Sequence, residues 1–202
     1  IGITICEDLW NEESFWGHRS YAANPIADLI SQSVDLVVNL SASPFCAGKQ
    51  ALREAMLTHT AKHYDVPILY VNQVGGNDDL IFDGRSSVVN RQGEIVGRGQ
   101  AFAEDLLWAQ TEPKTQDVSA TQLAPSPQQT EEVWRALVLG VQDYARKCGF
   151  QQAVIGLSGG IDSALVSAIA VEALGPQNVL GVLMPSPYSS DHSVTDALAL
   201  AQ

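Results

Sequence analysis

The glycine- and serine-rich run 156–163, Gly-Leu-Ser-Gly-Gly-Ile-Asp-Ser, has the clearest chemical potential in this chain. It follows the apolar residues 153–155 and leads into a helix-like stretch over residues 164–174. A strand that passes through a glycine turn into a helix directs backbone N–H groups and the positive end of the helix dipole at one point. The arrangement favours a bound anion, and the sequence therefore predicts a phosphate-binding loop here.

The residue types within this run refine that prediction. Ser158 and Ser163 supply hydroxyl donors, while Gly159 and Gly160 allow close approach of the backbone to a ligand. Asp162 supplies a carboxylate that can hold Mg²⁺. The run lacks the Gly-Lys-Ser/Thr ending of a Walker loop, so transfer of a γ-phosphate is not the natural interpretation. A bare glycine turn without a ligand is the simpler alternative, but it does not require the serines and the aspartate.

Cys6 is the second candidate for chemistry. It follows directly on the apolar residues 1–5, and a thiol at the end of a strand can be held at the mouth of a sheet and exposed to substrate. The alternative is a small buried hydrophobic residue. Glu7 and Asp8, which come next, have little use in a core, and they disfavour a thiolate. A reactive Cys6 therefore needs a cation and a base from elsewhere.

Alternating short strands and helices must position these residues. In the first segment, the apolar patterns predict strands over 1–5, 35–40, 67–74 and 106–109, and a hairpin from 86–90 and 94–97. Helices are predicted over 25–33 and over 49–63, with one apolar side formed by Leu52, Met56 and Leu57.

The second segment begins after residues 110–129, where Gln, Thr, Ser and Pro dominate and apolar periodicity disappears, as is typical of a linker. Thr130 is the predicted N-cap of a helix, with an apolar face formed by Val133, Leu137 and Val141. The strand before the glycine loop, the helix after it and a strand over 179–184 predict a βαβ unit, the start of a doubly wound parallel sheet.

Composition limits the functional classes. A net charge of −12 disfavours nucleic acid as a partner. The three cysteines are too scattered for a disulfide framework or a zinc site. No apolar run is long enough to span a bilayer and no export leader is visible, which predicts a cytoplasmic protein without a membrane partner. The chain starts without a cap and stops inside a helical pattern, so we expect an internal piece of a longer protein.

The first segment resembles the nitrilase-type amidase superfamily. The resemblance lies in the runs Ile-Cys-Glu-Asp-Leu-Trp at 5–10, Asn-Leu-Ser-Ala-Ser-Pro-Phe at 39–45, Gly-Lys at 48–49, Tyr-Val-Asn-Gln-Val-Gly-Gly at 70–76 and Phe-Asp-Gly at 82–84. It implies that Cys6 attacks the carboxamide of glutamine and releases ammonia. It further implies that Ser43 and Lys49 bind the amino-acid end of glutamine, and that a glutamate base and a second lysine precede Ile1.

The second segment resembles the ATP pyrophosphatases, which adenylate a substrate and release pyrophosphate. An amidase-like part followed by such a domain is the arrangement of the glutamine-dependent NAD⁺ synthetase family. The resemblance implies an α/β fold: the C-terminal part of a nitrilase-like α-β-β-α sandwich over 1–109, a linker over 110–129, and the start of a Rossmann-like domain over 130–202. The implied ATP-binding residues are Gly156, Leu157, Ser158, Gly159, Gly160, Ile161, Asp162 and Ser163, with Asp162 also binding Mg²⁺.

The implied enzyme is a ligase that forms a C–N bond. Its substrates would be glutamine, ATP and deamido-NAD⁺, its products NAD⁺, AMP, pyrophosphate and glutamate, and its assembly a homo-oligomer. This chain alone is expected to be inactive. One alternative is another ATP pyrophosphatase ligase with a different acceptor, and a second is a non-catalytic scaffold. No role is predicted for Cys46 or Cys148, and His59 and His63 are expected to be ordinary surface or partly buried histidines.

Overall fold

The computed structural model of the protein describes residues 1–112 and 114–202. These residues form two compact units. The first comprises Ile1–Gly75 and Leu80–Glu132, and the second comprises Gly76–Asp79 and Val133–Gln202. Within the described residues, no helix combines the length and the apolar character that crossing a membrane requires.

A mixed five-stranded sheet organises the first unit. The strands up to residue 120 are, in chain order, β1 (Gly2–Ile5), β2 (Val37–Ser41), β3 (Ile68–Asn72), β4 (Val74–Asn77), β5 (Leu80–Asp83), β6 (Ser87–Val89), β7 (Ile95–Arg98), β8 (Ala109–Glu112) and β9 (Asp117–Ala120). The spatial order in the sheet is β1-β2-β3-β6-β7. The first three strands are parallel, with Ile5 beside Leu40 and Ser41 beside Asn72. Their carboxyl ends therefore meet at one edge of the sheet.

Helices cover one face of this sheet. They are α1 (Glu13–Trp16), α2 (Pro25–Ser31) and α3 (Lys49–Tyr64). Proline at the first position of α2 and the Asn24 side chain, which accepts from the Ala27 N–H at 3.2 Å, explain why that helix begins where it does. The predicted helices over 25–33 and 49–63 are confirmed. The core between helices and sheet contains Leu9, Ile26, Val37, Met56, Leu57, Ala61, Val66, Ile68, Tyr70 and Val89.

The predicted apolar side of α3 is only partly correct. Met56 and Leu57 are fully buried, but Leu52 is 43% exposed and Arg53 takes the buried position instead. Positions 53, 56, 57, 60 and 61 form the inward stripe, at the spacing of one helical face. The apolar pattern of α3 did not indicate this face correctly, because the charged Arg53 occupies a core position. A charge in a core is rare unless it is paired.

The strand predictions over 1–5, 35–40 and 67–74 and the hairpin are confirmed, with ends shifted by at most two residues. The predicted strand over 106–109 is wrong, because β8 begins only at Ala109. The predicted linker over 110–129 contains two short strands. In this polar stretch β8 and β9 pair as an antiparallel ribbon, and Val118 packs with Leu36 and Val88 in a small second core. Isolated apolar residues that contact distant strands leave no periodic signal in the sequence.

Helix α4 (Gln129–Cys148) begins one residue before Thr130, which is therefore helical and not the N-cap. The predicted apolar face of α4 is partly exposed, at 40% for Val133, 43% for Leu137 and 38% for Val141. Small and acidic side chains are buried instead, among them Ala136 and Asp143.

A βαβ unit follows in the second unit, as predicted. It consists of β10 (Ala153–Leu157), α5 (Ile161–Leu174) and β11 (Val179–Leu183), and α6 (Asp191–Leu200) comes next. The two strands are parallel, with Ala153 beside Val179. Helix α5 starts three residues earlier than the pattern indicated and ends at Gly175, whose φ of +86° suits glycine.

Candidate functional site

Cys6 lies in a strained turn at the carboxyl end of β1. Its φ is +48°, in the left-handed region, and it opens a 3₁₀ helix over Cys6–Trp10. A non-glycine residue in this region costs about 1–2 kcal/mol, and such strain is often found where a side chain must be presented to a ligand. The Cys6 residue is partly exposed, and the turn is closed by Asp8, whose Oδ2 accepts from the Ile5 N–H at 2.8 Å. Asp8, whose charge disfavours a thiolate at Cys6, thus has a local structural role in closing the turn.

Asn39 holds the Cys6 turn against the sheet. Its fully buried Nδ2 donates to Thr4 Oγ1 at 2.9 Å and to the Cys6 carbonyl at 3.4 Å. Its Oδ1 accepts from Ser41 Oγ at 2.6 Å. A buried amide requires partners of this kind, and here they fix the backbone beneath the thiol. Asn39 has no predicted role, although a polar residue on the inward side of an apolar strand is a usable signal of a functional or structural site.

Tyr21, which has no predicted role, contacts the 3₁₀ helix that begins with Cys6. Its hydroxyl donates to the Glu7 carbonyl at 2.8 Å. Burial raises the pKa of Tyr21, and the charges of Asp8, Glu7 and Cys6 raise it further. Tyr21 lines a pocket of about 240 Å³ together with Glu7, Trp10, Trp16, His18 and Ser20.

The loop that carries Tyr21 is fixed by two buried side chains. Asn11 Nδ2 donates to the Tyr21 and Ala23 carbonyls at 2.9 and 2.6 Å. The Glu12 carboxylate accepts from the Tyr64 hydroxyl, from Ser14 and from Asn24. Burial alone would raise the pKa of Glu12, but these hydrogen bonds outweigh it and lower the pKa from 4.5 to about 2. Glu12 is therefore a fixed anion at neutral pH that ties the loop to α3.

Ser43 and Lys49 lie beyond the carboxyl end of β2. Ser43 is buried, and both ends of its backbone contact Asn72, the last residue of β3: the Ser43 N–H donates to Oδ1 at 2.9 Å and Nδ2 donates to the Ser43 carbonyl at 3.3 Å. Lys49 opens α3 after Gly48, and its Nζ lies 5.5 Å from the centre of the Trp10 ring. This cation–π contact joins Lys49 to the 3₁₀ helix that begins with Cys6.

Two adjacent parallel strands, β1 and β2, thus lead to the candidate amidase residues. Cys6 follows β1 and Ser43 follows β2, and neighbouring strands are about 4.8 Å apart, so both lie at the same edge of the sheet. A thiol, a hydroxyl and an ammonium group at one edge suit attack on a carbonyl carbon and binding of a carboxylate.

The predicted phosphate loop connects β10 to α5. Its hydroxyls hold the loop in shape: Ser163 Oγ donates to the Gly160 carbonyl at 2.9 Å and accepts from the Ser158 N–H at 3.3 Å. Ser158 Oγ accepts from the Gly160 N–H at 3.2 Å. The loop is mostly exposed at the start of a 14-residue helix, which places the positive end of the helix dipole beside it.

Gly159 requires glycine on two grounds. Its φ is +80°, and a Cβ there would lie 2.2 Å from the Ser193 carbonyl oxygen. The loop and the start of α6 therefore pack backbone against backbone. Beside them is a cavity of about 130 Å³, lined by Leu157, Ser158, Leu183, Met184, Pro185, Ser189, Ser193 and Val194.

The residues of this loop could hold Mg²⁺ through one carboxylate, that of Asp162. The described residues contain no group of three or more His, Cys, Asp or Glu side chains placed to hold a metal ion. Mg²⁺ in nucleotide sites commonly takes one or two carboxylates and completes its shell with phosphate oxygens and water, and Asp162, in the first turn of α5, would supply one such carboxylate beside a bound nucleotide. His59 contacts Ser14 Oγ through Nε2 at 2.8 Å and stacks on His63.

Comparison with known proteins finds two families that match successive parts of the chain. Residues 1–119 match the carbon-nitrogen hydrolase family, and residues 133–202 match the NAD synthase family. The chain is 63% identical over 203 residues to a glutamine-dependent NAD(+) synthetase of Synechocystis sp., covering all of this chain and 36% of that protein. It is 41% identical to the one of Thermotoga maritima, covering all of this chain and 39% of that protein.

A solved structure of the same kind of protein is similar in fold to this chain. The glutamine-dependent NAD⁺ synthetase of Acinetobacter baumannii, in complex with ADP, superposes with a TM-score of 0.87 at 41% identity, covering 97% of this chain and 35% of that one. The chain thus spans about a third of the length of these relatives. The predicted fold class, a nitrilase-like part followed by the start of a nucleotide-binding α/β domain, is confirmed. The chain belongs to the carbon-nitrogen hydrolase family over residues 1–119 and carries a NAD synthase match over residues 133–202.

Proposed function

We propose that this chain forms the glutamine-hydrolysing centre and the start of the ATP site of a glutamine-dependent NAD⁺ synthetase. The proposal is supported by one main observation: the chain contains both a candidate amidase site and a candidate nucleotide-binding loop. A strained thiol with Ser43 and Lys49 lies at one sheet edge, and a serine–glycine loop opens α5 later in the chain. The relatives with this name align with the whole of the chain, across both parts.

In the proposed amidase half, the Cys6 thiolate attacks the side-chain carboxamide carbon of glutamine. A C–S bond forms, the C–N bond breaks, and ammonia leaves with the proton that a base has taken from the thiol. Water then hydrolyses the thioester to glutamate and returns the thiol. Lys49 pairs with the α-carboxylate of glutamine, and the Ser43 hydroxyl donates beside it.

In the proposed synthetase half, the nicotinate carboxylate of deamido-NAD⁺ attacks the α-phosphorus of ATP and pyrophosphate leaves. Ammonia then attacks the acyl-adenylate, and AMP leaves as NAD⁺ forms. A carboxylate is a poor acceptor until one oxygen becomes a good leaving group, which is what adenylation achieves. The residues from Gly156 to Ser163 would hold the pyrophosphate portion of ATP through backbone N–H groups and hydroxyls. The ADP complex of the A. baumannii relative supports an adenine nucleotide as the ligand.

Asp162 would hold Mg²⁺, which supplies neutralisation of phosphate charge when bound. The net charge of −12 makes such local neutralisation necessary for a polyanionic ligand. The same charge argues against a nucleic-acid partner. We further propose that the complete protein is a homo-oligomer and that it acts in the cytoplasm, where ATP and glutamine are available.

Substitution of the nucleophile tests the proposal. In the complete protein that carries this sequence, Cys6→Ala is expected to reduce glutamine-dependent NAD⁺ formation by about a thousandfold or more, because the covalent step is lost. Synthesis driven by free ammonia should continue at the wild-type rate. Release of pyrophosphate from ATP, with deamido-NAD⁺ as acceptor, is the measurement.

The competing functions give different outcomes in the same assay. Another ATP pyrophosphatase ligase releases no pyrophosphate with deamido-NAD⁺ but does so with its own acceptor. A scaffold releases none with any acceptor. Loss of the ammonia-driven reaction in Cys6→Ala would contradict the assignment of two separate centres.

A further inference from the structure

Arg53 is a charged residue in a core position, and its surroundings point to a role in the glutamine-hydrolysing centre. It lies on the inward stripe of α3 with 0% of its side chain exposed. Its guanidinium meets the equally buried Asp83 through both carboxylate oxygens, at 3.0 and 3.2 Å. Burial of a charge is costly, and a buried ion pair commonly stabilises a fold no better than apolar side chains of the same volume. Stability alone therefore does not account for an arginine here.

The same guanidinium extends toward the predicted glutamine-binding residue. Its Nη2 lies 3.5 Å from Ser43 Oγ, and its Nη1 donates to Gln50 Oε1 at 2.7 Å. The plane of the guanidinium is also restrained by the Tyr70 ring, whose centre is 5.8 Å from Cζ. Arginine presents its donors in a rigid planar fork, so these contacts fix where the Nη2 donor points.

Asn72 and Asp83 connect this ion pair to the Ser43 backbone. Asn72 contacts both the N–H and the carbonyl of Ser43, as described above, and its Nδ2 also approaches Asp83 Oδ1 at 3.4 Å and the Gly84 carbonyl at 3.0 Å. Arg53, Asn72 and Asp83 thus surround Ser43 as one hydrogen-bonded group, here called the Ser43 cradle. The cradle joins three elements, α3, β3 and the end of β5.

We propose that Arg53 is a positioning residue for glutamine: acting through Ser43 and the Ser43 cradle, it sets the orientation in which Ser43 binds the amino-acid end of the substrate. This inference rests on the proposed function of the Cys6 centre. Arg53 itself does not touch the reacting atoms in this account. Its effect is on binding of glutamine and not on the use of ammonia by the nucleotide domain.

Arg53→Lys in the complete protein is the primary test. Lysine keeps the positive charge beside Asp83 but has no planar fork to reach Ser43 and Gln50 together. The KM for glutamine is expected to rise about tenfold, the usual effect of losing one charge-assisted hydrogen bond, while the KM for ammonia in NAD⁺ formation stays at its wild-type value.

Arg85→Lys is the matched control. Arg85 is as buried as Arg53 and also pairs with a carboxylate, through Nη1 and Glu132 Oε1 at 2.6 Å, and in the part of the chain that the structure describes its guanidinium has no hydrogen bond to Ser43 or Asn72. This change is expected to leave the KM for glutamine unchanged. A similar rise in both variants would overturn the proposal, because a general loss of packing would then be the cause.

A double-mutant cycle separates positioning from an independent effect. Ser43→Ala should raise the KM for glutamine, and Arg53→Lys should add no further increase in that background. Additive increases would contradict action through Ser43. If Arg53→Lys does not give folded protein, Asp83→Asn replaces it. That change preserves shape but removes the countercharge, and an unchanged KM for glutamine would then refute the proposal.

Wild-type controls distinguish this inference from the proposed function. If the wild-type protein cannot use glutamine at all, the assignment of the Cys6 centre fails. If the wild-type protein uses glutamine and Arg53→Lys does so with the same KM, only the positioning role fails.

Discussion

The sharpest test of the predicted phosphate loop is a comparison of two neighbouring glycines. Gly159→Ala places a methyl group 2.2 Å from the Ser193 carbonyl oxygen and 2.7 Å from the Ser193 Cα. Because real Cβ contacts do not fall below 3.0 Å, the loop or the start of α6 must move by about 0.8 Å. Both nearest atoms belong to the backbone, so no side-chain rotation can relieve the contact.

The magnitude follows from two costs. Alanine at a φ of +80° costs about 1–2 kcal/mol relative to glycine. Overpacking in a close-packed region costs about 1–3 kcal/mol more. Since about 1.4 kcal/mol corresponds to a factor of ten, ATP binding to the native loop conformation is expected to weaken by between about thirtyfold and a few thousandfold.

Gly160→Ala is the control for this prediction. Gly160 has a φ of −87°, which any residue adopts, and a Cβ there would meet only Ser158 Oγ at 3.4 Å. Loss of glycine at the start of the helix costs about 1 kcal/mol or less, so ATP binding should weaken by at most about fivefold.

The assay is pyrophosphate release by the complete protein at varied Mg·ATP, with ammonia as nitrogen donor and deamido-NAD⁺ as acceptor. Ammonia is chosen because it bypasses Cys6. If both variants show the same KM for ATP, the close approach of Gly159 to Ser193 does not shape the nucleotide site, and the reasoning is wrong.

Two further predictions concern a carboxylate in each part of the chain. Tyr64→Phe removes a hydrogen bond to the ionised Glu12 and should lower the local stability of α3 by about 1.5–3 kcal/mol, measured by amide hydrogen exchange. Because the pKa of Glu12 is depressed to about 2, this stabilisation is complete above pH 4.5 and disappears as the pH falls through 2, so the two proteins should converge in acid. Asp162→Asn should raise the Mg²⁺ concentration needed for half-maximal pyrophosphate release by about tenfold, since one charged ligand is lost, while glutamine hydrolysis remains unchanged. An unaltered Mg²⁺ requirement would remove Asp162 from the metal site.

The local elements of the fold were predictable because their signals are local. The βαβ unit was recognisable from two apolar runs, a glycine turn and a helix-forming stretch in direct succession. The helix over Lys49–Tyr64 was equally clear. The ribbon of β8 and β9 was not, because its strands are short and polar and its stabilising contact is Val118 with Leu36 and Val88, far away in the chain.

The strained backbone at Cys6 could not be predicted from the sequence either. Nothing in Ile5-Cys6-Glu7 requires a positive φ, and Asp8 could be interpreted only as an unfavourable charge near the thiol. The structure shows that Asp8 closes the turn through the Ile5 N–H, while Asn39 supports the Cys6 carbonyl from the neighbouring strand.

The sequence by itself determined the chemical groups of this protein: a thiol after a strand, a serine–glycine loop before a helix, and an acidic chain in which both occur. These features depend on residues that are adjacent in the chain, so their order suffices to identify them. Only the tertiary structure decided that Arg53 and not Leu52 is buried, and that Arg53 pairs with Asp83, which Asn72 also contacts, beside Ser43. These residues lie on different elements, and a buried charge is stable only where the fold brings its partners to it.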